Sequence, residues 1–307
     1  MKVAVVGCGA MGTIFAGLLA CAGNQVTVVH RNANDVARIN ARGLRITGAS
    51  GDRTATVEAF IRPPDREMAL VVVAVKATQI RGVGDELMSM VGPNTVVLTI
   101  QNGLGSAEHL ASVVGNDRVA VGIAGGFGAS LLEPGHTHHN GMEVVRMGSY
   151  AGLEPDAVDA VAACWRAAGF KAEAVKDIRM MQWEKLICNV AYSAPCALTG
   201  MTVGQVLEDP ELGPISQAAA REAWEIGRAR GIQFSVSDPV AHAQAFAARM
   251  PASRPSMLQD HESRRSSEID YINGAVPREA ALAGTRAPVN EMLTALVKAK
   301  EKTFAST

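Results

Sequence analysis

The segment that most limits what this chain can fold into is its first. An apolar run, Val3-Ala4-Val5-Val6, opens onto Gly7-Cys8-Gly9-Ala10-Met11-Gly12. An apolar stretch with helical character covers 13–22, and a second apolar run over 25–29 ends in His30-Arg31. Strand, glycine turn, helix and strand in this order make the unit that wraps a dinucleotide pyrophosphate. Gly7 permits the tight turn, Gly9 lets backbone approach the phosphates, and Gly12 lets helix and strand pack closely; Cys8, Ala10 and Met11 complete the cofactor loop. The helix N-terminus adds free N–H groups and the positive end of its dipole.

Arg31 bears on which dinucleotide. Proteins that bind NAD usually end the second strand with Asp or Glu, which bonds the adenine ribose hydroxyls. Here the nearest carboxylate is Asp35. A planar guanidinium suits a 2′-phosphate, to which it donates two bonds, so the expected cofactor is NADPH/NADP+ rather than NAD(H). The plain alternative is a solvated arginine after a strand.

A chain of 307 residues has room for two domains with cores of their own. Its net charge of −1 supplies no basic field for nucleic acid or an anionic membrane. No apolar stretch is as long as a membrane span, and the opening strand enters the glycine loop so directly that no signal peptide is expected. The five cysteines (Cys8, Cys21, Cys164, Cys188, Cys196) form no C-x-x-C pair. They fit reduced, mostly buried thiols of a cytoplasmic protein better than a disulfide framework or zinc site.

The first half alternates strands and helices. Continuous β-branched runs over 69–75, 95–100 and 118–123 read as parallel strands buried on both faces. Helical stretches near 80–90 and 106–114 separate them, and a hairpin is expected over 135–148. These features predict a mixed α/β fold: a doubly wound, Rossmann-type sheet over residues 1–176. From 177 to 307 the pattern is helical, with segments expected over 179–194, 213–230, 239–250, 256–273 and 290–303. The second half is therefore expected to be an all-helical domain. Its apolar stretches fit burial within one subunit and a homodimer interface equally well.

Three clusters carry candidate chemistry. Val75-Lys76-Ala77 ends a buried strand, where open α/β sheets bind their ligands. Gln101-Asn102-Gly103 ends the next strand; Asn102 could bond nicotinamide or substrate, and Asn-Gly is equally a common turn pair. In Trp183-Glu184-Lys185-Leu186-Ile187-Cys188-Asn189, Lys185 and Asn189 share one face of a helix, and Ser193 extends it by another turn. Pro195 is expected to push the residues before it out of helix geometry. Ser256 and Gln259 have the spacing of a capping box, with the helix running past Glu268 to stop at Asn273-Gly274 on a left-handed glycine cap. Capping alone would explain Ser256, and an exposed pair with Arg264 would explain Glu268.

Taken together, the glycine loop, Val75-Lys76-Ala77, Gln101-Asn102-Gly103, Trp183-Glu184-Lys185-Leu186 with Asn189, Ser256-Met257-Leu258-Gln259-Asp260 and Glu268-Ile269-Asp270-Tyr271-Ile272-Asn273-Gly274 resemble the ketopantoate reductase family (2-dehydropantoate 2-reductases) over essentially the whole chain. The resemblance implies NADPH-dependent reduction of a 2-keto acid to the (R)-2-hydroxy acid, in pantothenate biosynthesis. It makes Lys185 the catalytic lysine and Glu268 the catalytic glutamate. Asn102, Asn189 and Ser256 become substrate-binding positions, Lys76 a lysine at the cofactor, and Arg31 the selector of the 2′-phosphate. Ser193 stands where the family commonly has a second substrate-touching Asn, which leaves the exact 2-keto acid open. A D-2-hydroxy-acid dehydrogenase acting on other branched 2-keto acids is the close alternative. A non-catalytic NADP-binding sensor is a third, against which Lys185, Asn189, Ser256 and Glu268 survive together. The run His136-Thr137-His138-His139 lacks cysteines or carboxylates at ligand spacing apart from Glu133 and Glu143, so no metal is expected.

Overall fold

A computed structural model describes residues 1–126, 128–141 and 144–304. The chain divides into two compact units. The first holds Met1–Gln101 and Ser106–Ile178; the second holds Asn102–Gly105 and the chain from Arg179 onward.

The first unit contains strands β1 (Lys2–Val6), β2 (Gln25–Val29), β3 (Leu44–Gly48), β4 (Arg53–Ala55), β5 (Glu58–Phe60), β6 (Met68–Val73), β7 (Val91–Thr99), β8 (Val119–Gly125), β9 (Gly128–Glu133), β10 (His136–Gly141), β11 (Val144–Ser149) and β12 (Ala172–Ala174). Its helices are α1 (Ala10–Cys21), α2 (Ala33–Arg42), α3 (Ile80–Gly84), α4 (Ser106–Val114) and α5 (Pro155–Ala167). Eight strands form one sheet in the order β12-β11-β8-β7-β6-β1-β2-β5. The pairs from β5 through β8 are parallel, and β11 runs antiparallel to β8.

Alternate residues of each central strand serve opposite faces, which is why these strands read as unbroken apolar runs. Val3, Val5, Leu70 and Val72 enter one core with Ile14, Phe15 and Leu19. Ala4, Val6, Val71 and Val73 enter the other with Leu87 and Leu110. Helix α1 is buried along most of its length because a second sheet, β4-β3-β10-β9, packs on it as well. Gly17 makes that approach possible: a Cβ there would sit 2.6 Å from Ile46 Cδ1.

Two first-unit expectations need correction. The hairpin lies at β9–β10, joined through Pro134-Gly135, while β10 and β11 belong to different sheets. Residues 136–139 pair with β3 on one edge of β10 and β9 takes the other, so no edge is left for β11; Thr137 and His139 are buried there. The stretch over 80–90 is one turn of α-helix followed by a 3-10 segment, Asp85–Met90, with glycines at 82 and 84 weakening the helix.

The second unit carries α6 (Ile178–Thr199), α7 (Val203–Glu208), α8 (Leu212–Ala229), α9 (Pro239–Arg249), α10 (Ser256–Glu262), α11 (Ala275–Leu282) and α12 (Pro288–Lys302). Among the described residues no helix is long and apolar enough to cross a membrane. Helices α6 and α10 depart from the expected spans, and α7 and α11 lie where no helix was expected. Helix α6 runs straight through Pro195, because Val190, Ala191, Ala194, Cys196 and Ala197 are wholly buried around it and their packing outweighs the lost backbone bond.

Helix α10 stops at Glu262, since the polar run from Ser263 to Ser266 has nothing to bury and Arg264 turns the chain at φ 50°. Glu268 therefore sits in a bend before a short 3-10 turn, Ile269–Tyr271. Ser256 follows the N-cap Pro255 and makes no capping bond, while Gln259 Nε2 donates to Arg254 O at 2.8 Å. The one complete capping box among the described helices is Thr202 with Gln205. Gly274 has φ −66° and starts α11; its missing Cβ lets the backbone pass Asp270, where an added carbon would be 2.9 Å from Cα.

A buried polar knot ties three of these helices, α6, α8 and α12, to the turn before α11. Asn273 Nδ2 donates to Val190 O and to Asn290 Oδ1, both at 3.0 Å. Asn290 Nδ2 in turn donates to Ala219 O at 3.1 Å and to Glu222 at 2.9 Å.

Candidate active site

In the first unit the chain leaves β1, forms β2 on one side, and later crosses to form β6 on the other. Strand order reverses there, and ligands of open α/β sheets bind outside the carboxyl ends of such strands. Gly7 to Gly12 occupy the end of β1. Gly7 has φ +96°, and a Cβ on it would lie 2.6 Å from the Val75 backbone nitrogen. Gly12 packs on the Gly7 carbonyl so closely that any side chain would collide with it, whereas a Cβ on Gly9 would meet nothing within 4 Å. The open glycine is the N-cap of α1, which has no side-chain cap and no acidic residue in its first turn. Its orphan N–H groups make this an anion site. The residues present fit a dinucleotide pyrophosphate.

Cys8 contributes backbone only: its thiol bonds with Thr13 Oγ1 at 3.3 Å and burial pushes it up to about 11. Ala10 and Met11 are half-buried in the first turn of α1. Lys76 is half-buried just beyond β6, on the residue next to Gly7's neighbour Val75. Arg31 is exposed after β2. Asp35 is held by His30, Nε2 to Oδ2 3.0 Å, and Asn32 caps α2 by accepting from the Asn34 and Asp35 N–H groups. Gln101 stitches strand ends, donating to Val73 O at 2.7 Å and to Val75 O at 2.9 Å.

The second unit contains a cavity of about 100 Å³. Asn102, Asn189, Ser193 and Ser256, all singled out from sequence, line it. Asn189 and Ser193 lie on consecutive turns of α6. Asn102 arrives on the segment 102–105, which is held by Leu104 N–H donating to Tyr271 O at 2.8 Å and by Gln182 Nε2 donating to Gly103 O at 3.0 Å. A Cβ on Gly103 (φ +81°) would collide with the Tyr271 carbonyl, so this glycine serves close approach as well as turning.

Lys185 and Glu268 do not line the cavity. Lys185 is half-buried one turn before Asn189 on α6. Burial pulls its ammonium down to about 8, against the opposing pull of the Glu268 carboxylate. A lysine so poised can hold or release a proton near neutral pH.

The sequence reading missed the apolar wall formed by Tyr192, Val203, Phe246 and Ile272, together with Ser253. Tyr192 and Phe246 stack with ring centroids 6.3 Å apart, and Tyr192 O–H donates to Ala243 O at 3.2 Å. The signal was weak, because Val203 and Phe246 look like any core residue of a helical domain. Cys188 also faces the cavity, but burial pushes its thiol up to about 12, far from a thiolate nucleophile. Among the described residues no group of three or more His, Cys, Asp or Glu could hold a metal; Glu143 lies outside them. His139 bonds Ser50 at 2.5 Å and His138 bonds Thr47 at 3.3 Å.

Residues 3–152 match the family model for ketopantoate reductase PanE/ApbA, and residues 177–301 match that for its C-terminal part. A 2-dehydropantoate 2-reductase of Halobacterium salinarum is 30% identical over 308 residues, covering 98% of this chain and 99% of its own. The chain belongs to the ketopantoate reductase family. This reductase family member is an oxidoreductase, and its family depends on pyridine nucleotides. Among solved structures, a PanE/ApbA family ketopantoate reductase from Ralstonia eutropha has a TM-score of 0.90 at 29% identity, covering 99% of this chain and 100% of that one. A D-mandelate dehydrogenase in complex with NADH has a TM-score of 0.89 at 25% identity, with the same coverage.

Proposed function

We propose that the protein reduces 2-dehydropantoate to (R)-pantoate with NADPH, Lys185 acting as general acid and electrostatic stabiliser. The observation that carries this reading is Lys185 itself: a half-buried ammonium brought to about 8, under the field of Glu268, one turn from a cavity-lining asparagine. NADPH supplies the hydride when bound. As the keto oxygen gains negative charge, the Lys185 ammonium stabilises it and then gives it a proton. Glu268 holds the ammonium in place and accepts a hydrogen bond from a substrate hydroxyl. Asn102, Asn189, Ser193 and Ser256 donate hydrogen bonds that orient the acid. Gly7 to Gly12 take the pyrophosphate with backbone N–H groups, and Lys76 adds a cation at the cofactor. Arg31 takes the 2′-phosphate, a role favoured by Asp35 being engaged with His30 rather than free to bond a ribose hydroxyl.

A second reading has its own support. The apolar wall of Tyr192, Val203 and Phe246, with Ser193 in place of a longer amide, suits a 2-keto acid with a bulkier apolar side chain. Oxidation of NADPH measured against a panel of 2-keto acids separates the two. Fastest turnover of 2-dehydropantoate is expected; preference for an aryl or other branched 2-keto acid transfers the assignment to the second reading. Tight NADPH binding with no turnover on any of them would sink both.

A further inference from the structure

We propose that Arg278 is a positioning residue that fastens the Asn102 segment to the turn carrying Glu268, so that a substrate-binding amide and the catalytic carboxylate are held as one piece. The inference rests on the function proposed above. Residues 102–105 come from far upstream in sequence yet pack with the helical unit, where Leu104 is buried in the same apolar core as Trp183, Leu186 and Ile272. Arg278, on α11, spans the joint. Its Nη2 donates to Leu104 O at 2.9 Å and its Nη1 to Asp270 O at 3.2 Å. Asp270 lies in the 3-10 turn that begins just after Glu268, and the same turn's Tyr271 carbonyl accepts the Leu104 N–H at 2.8 Å.

Gly105 (φ +110°) completes the fit: a Cβ there would come within 3.1 Å of the guanidinium nitrogen. The two carbonyls belong to strands of chain that share no regular secondary structure. A planar fork with several fixed donors is the side chain suited to bridging them, and its charged hydrogen bonds are worth more than neutral ones. Arg278 is itself exposed, so truncating it opens no cavity in the core.

The test combines kinetics, a double mutant and amide exchange on the full-length protein. Arg278→Ala should raise KM for the 2-keto acid about tenfold and lower kcat several-fold, with NADPH affinity within about twofold of wild type. Arg278→Lys, which keeps the charge without the fork, should recover only part of the loss. In an Asn102→Ala background the same change should cost less than about twofold, because its effect runs through Asn102. The Leu104 amide should exchange with deuterium faster in Arg278→Ala than in wild type. Unchanged Leu104 exchange, or a full-sized penalty in the Asn102→Ala background, overturns the inference. A wild type that turns over no 2-keto acid sinks the proposed function and the catalytic half of this one; Leu104 exchange then decides the fastening by itself.

Discussion

In the first unit, the atoms proposed to hold the cofactor pyrophosphate are backbone N–H groups within six consecutive residues, Gly7 to Gly12. In the second, the cavity is walled by side chains from positions as distant as Asn102 and Ile272, on α6, α7, α9, α10 and segments outside the helices. The first region works because atoms are missing: Gly7 and Gly12 leave space that any Cβ would fill. The second works because particular groups are present and aimed. One should be broken by adding a carbon, the other by removing a charge or an amide. The distinction also predicts which kinetic constant each change will move.

The largest effect is expected from removing the charge. Lys185→Ala should lower kcat by about a hundredfold or more while leaving NADPH affinity nearly unchanged, since general acid and electrostatic assistance together are worth that much. Stopped-flow turnover alongside fluorescence titration checks both halves. The pH profile gives the sign independently. Lys185 is lowered to about 8, so the protonated form, the one proposed to assist reduction, predominates below that value and is lost as pH rises through it. The reduction rate should therefore fall above pH ~8, and the Lys185→Ala residual rate should lack that limb. Turnover near the wild-type level in the variant would remove Lys185 from the mechanism.

Adding a carbon comes next. Gly7→Ala must hold φ near +96° and bring a methyl to 2.6 Å from the Val75 nitrogen. A strain of about 2 kcal/mol, appropriate to a non-glycine residue forced into such a conformation, corresponds to roughly 30-fold weaker NADPH binding. The variant's KM for the keto acid should change far less. If both constants move together, the separation between a backbone-built and a side-chain-built region is not real at the level of function.

The same contrast explains what sequence revealed. The β1–α1–β2 unit was legible because turn, strand and helix are encoded by adjacent residues, and β2 and α4 run over the very residues the pattern marks. That Lys185, Asn189 and Ser193 share one face of a helix was legible from their spacing of four residues. What escaped was set by partners far away in sequence. Pro195 was expected to break α6, but the burial of its neighbours, invisible in a local window, carries the helix through. Ser256 looked like a cap by its spacing to Gln259, yet Pro255 takes the cap position; only the family resemblance, not the local spacing, marked Ser256 as a substrate-binding position. Phe246 carried no mark at all, because a phenylalanine on an apolar helix face reads the same whether it meets core or ligand.

Arg31 offers a smaller, sharper probe of the first region. Arg31→Ala should weaken NADPH binding about tenfold, the worth of a charge-assisted pair at an exposed site, and leave NADH binding within twofold. Isothermal titration of both cofactors reads this directly. Equal affinity for the two in the wild type would remove Arg31 from cofactor choice and bring this chain into line with the NADH-bound dehydrogenase it resembles in fold.

The smallest expected effect concerns the wall that sequence could not show. Phe246 lies against Tyr192, which is itself fixed by its hydrogen bond to Ala243 on the same helix, α9. Phe246→Ala should therefore enlarge the cavity without freeing Tyr192. Changes of this kind in an apolar pocket shift selectivity by about 1 to 3 kcal/mol at most, and part of the space will be recovered by relaxation. A shift of about fivefold in relative kcat/KM toward 2-keto acids with larger side chains is the expected outcome, with NADPH affinity untouched. An unchanged ratio would mean that selectivity is set on the polar side, by Ser193, Ser253 and Ser256. The second unit would then discriminate by hydrogen bonding rather than by shape.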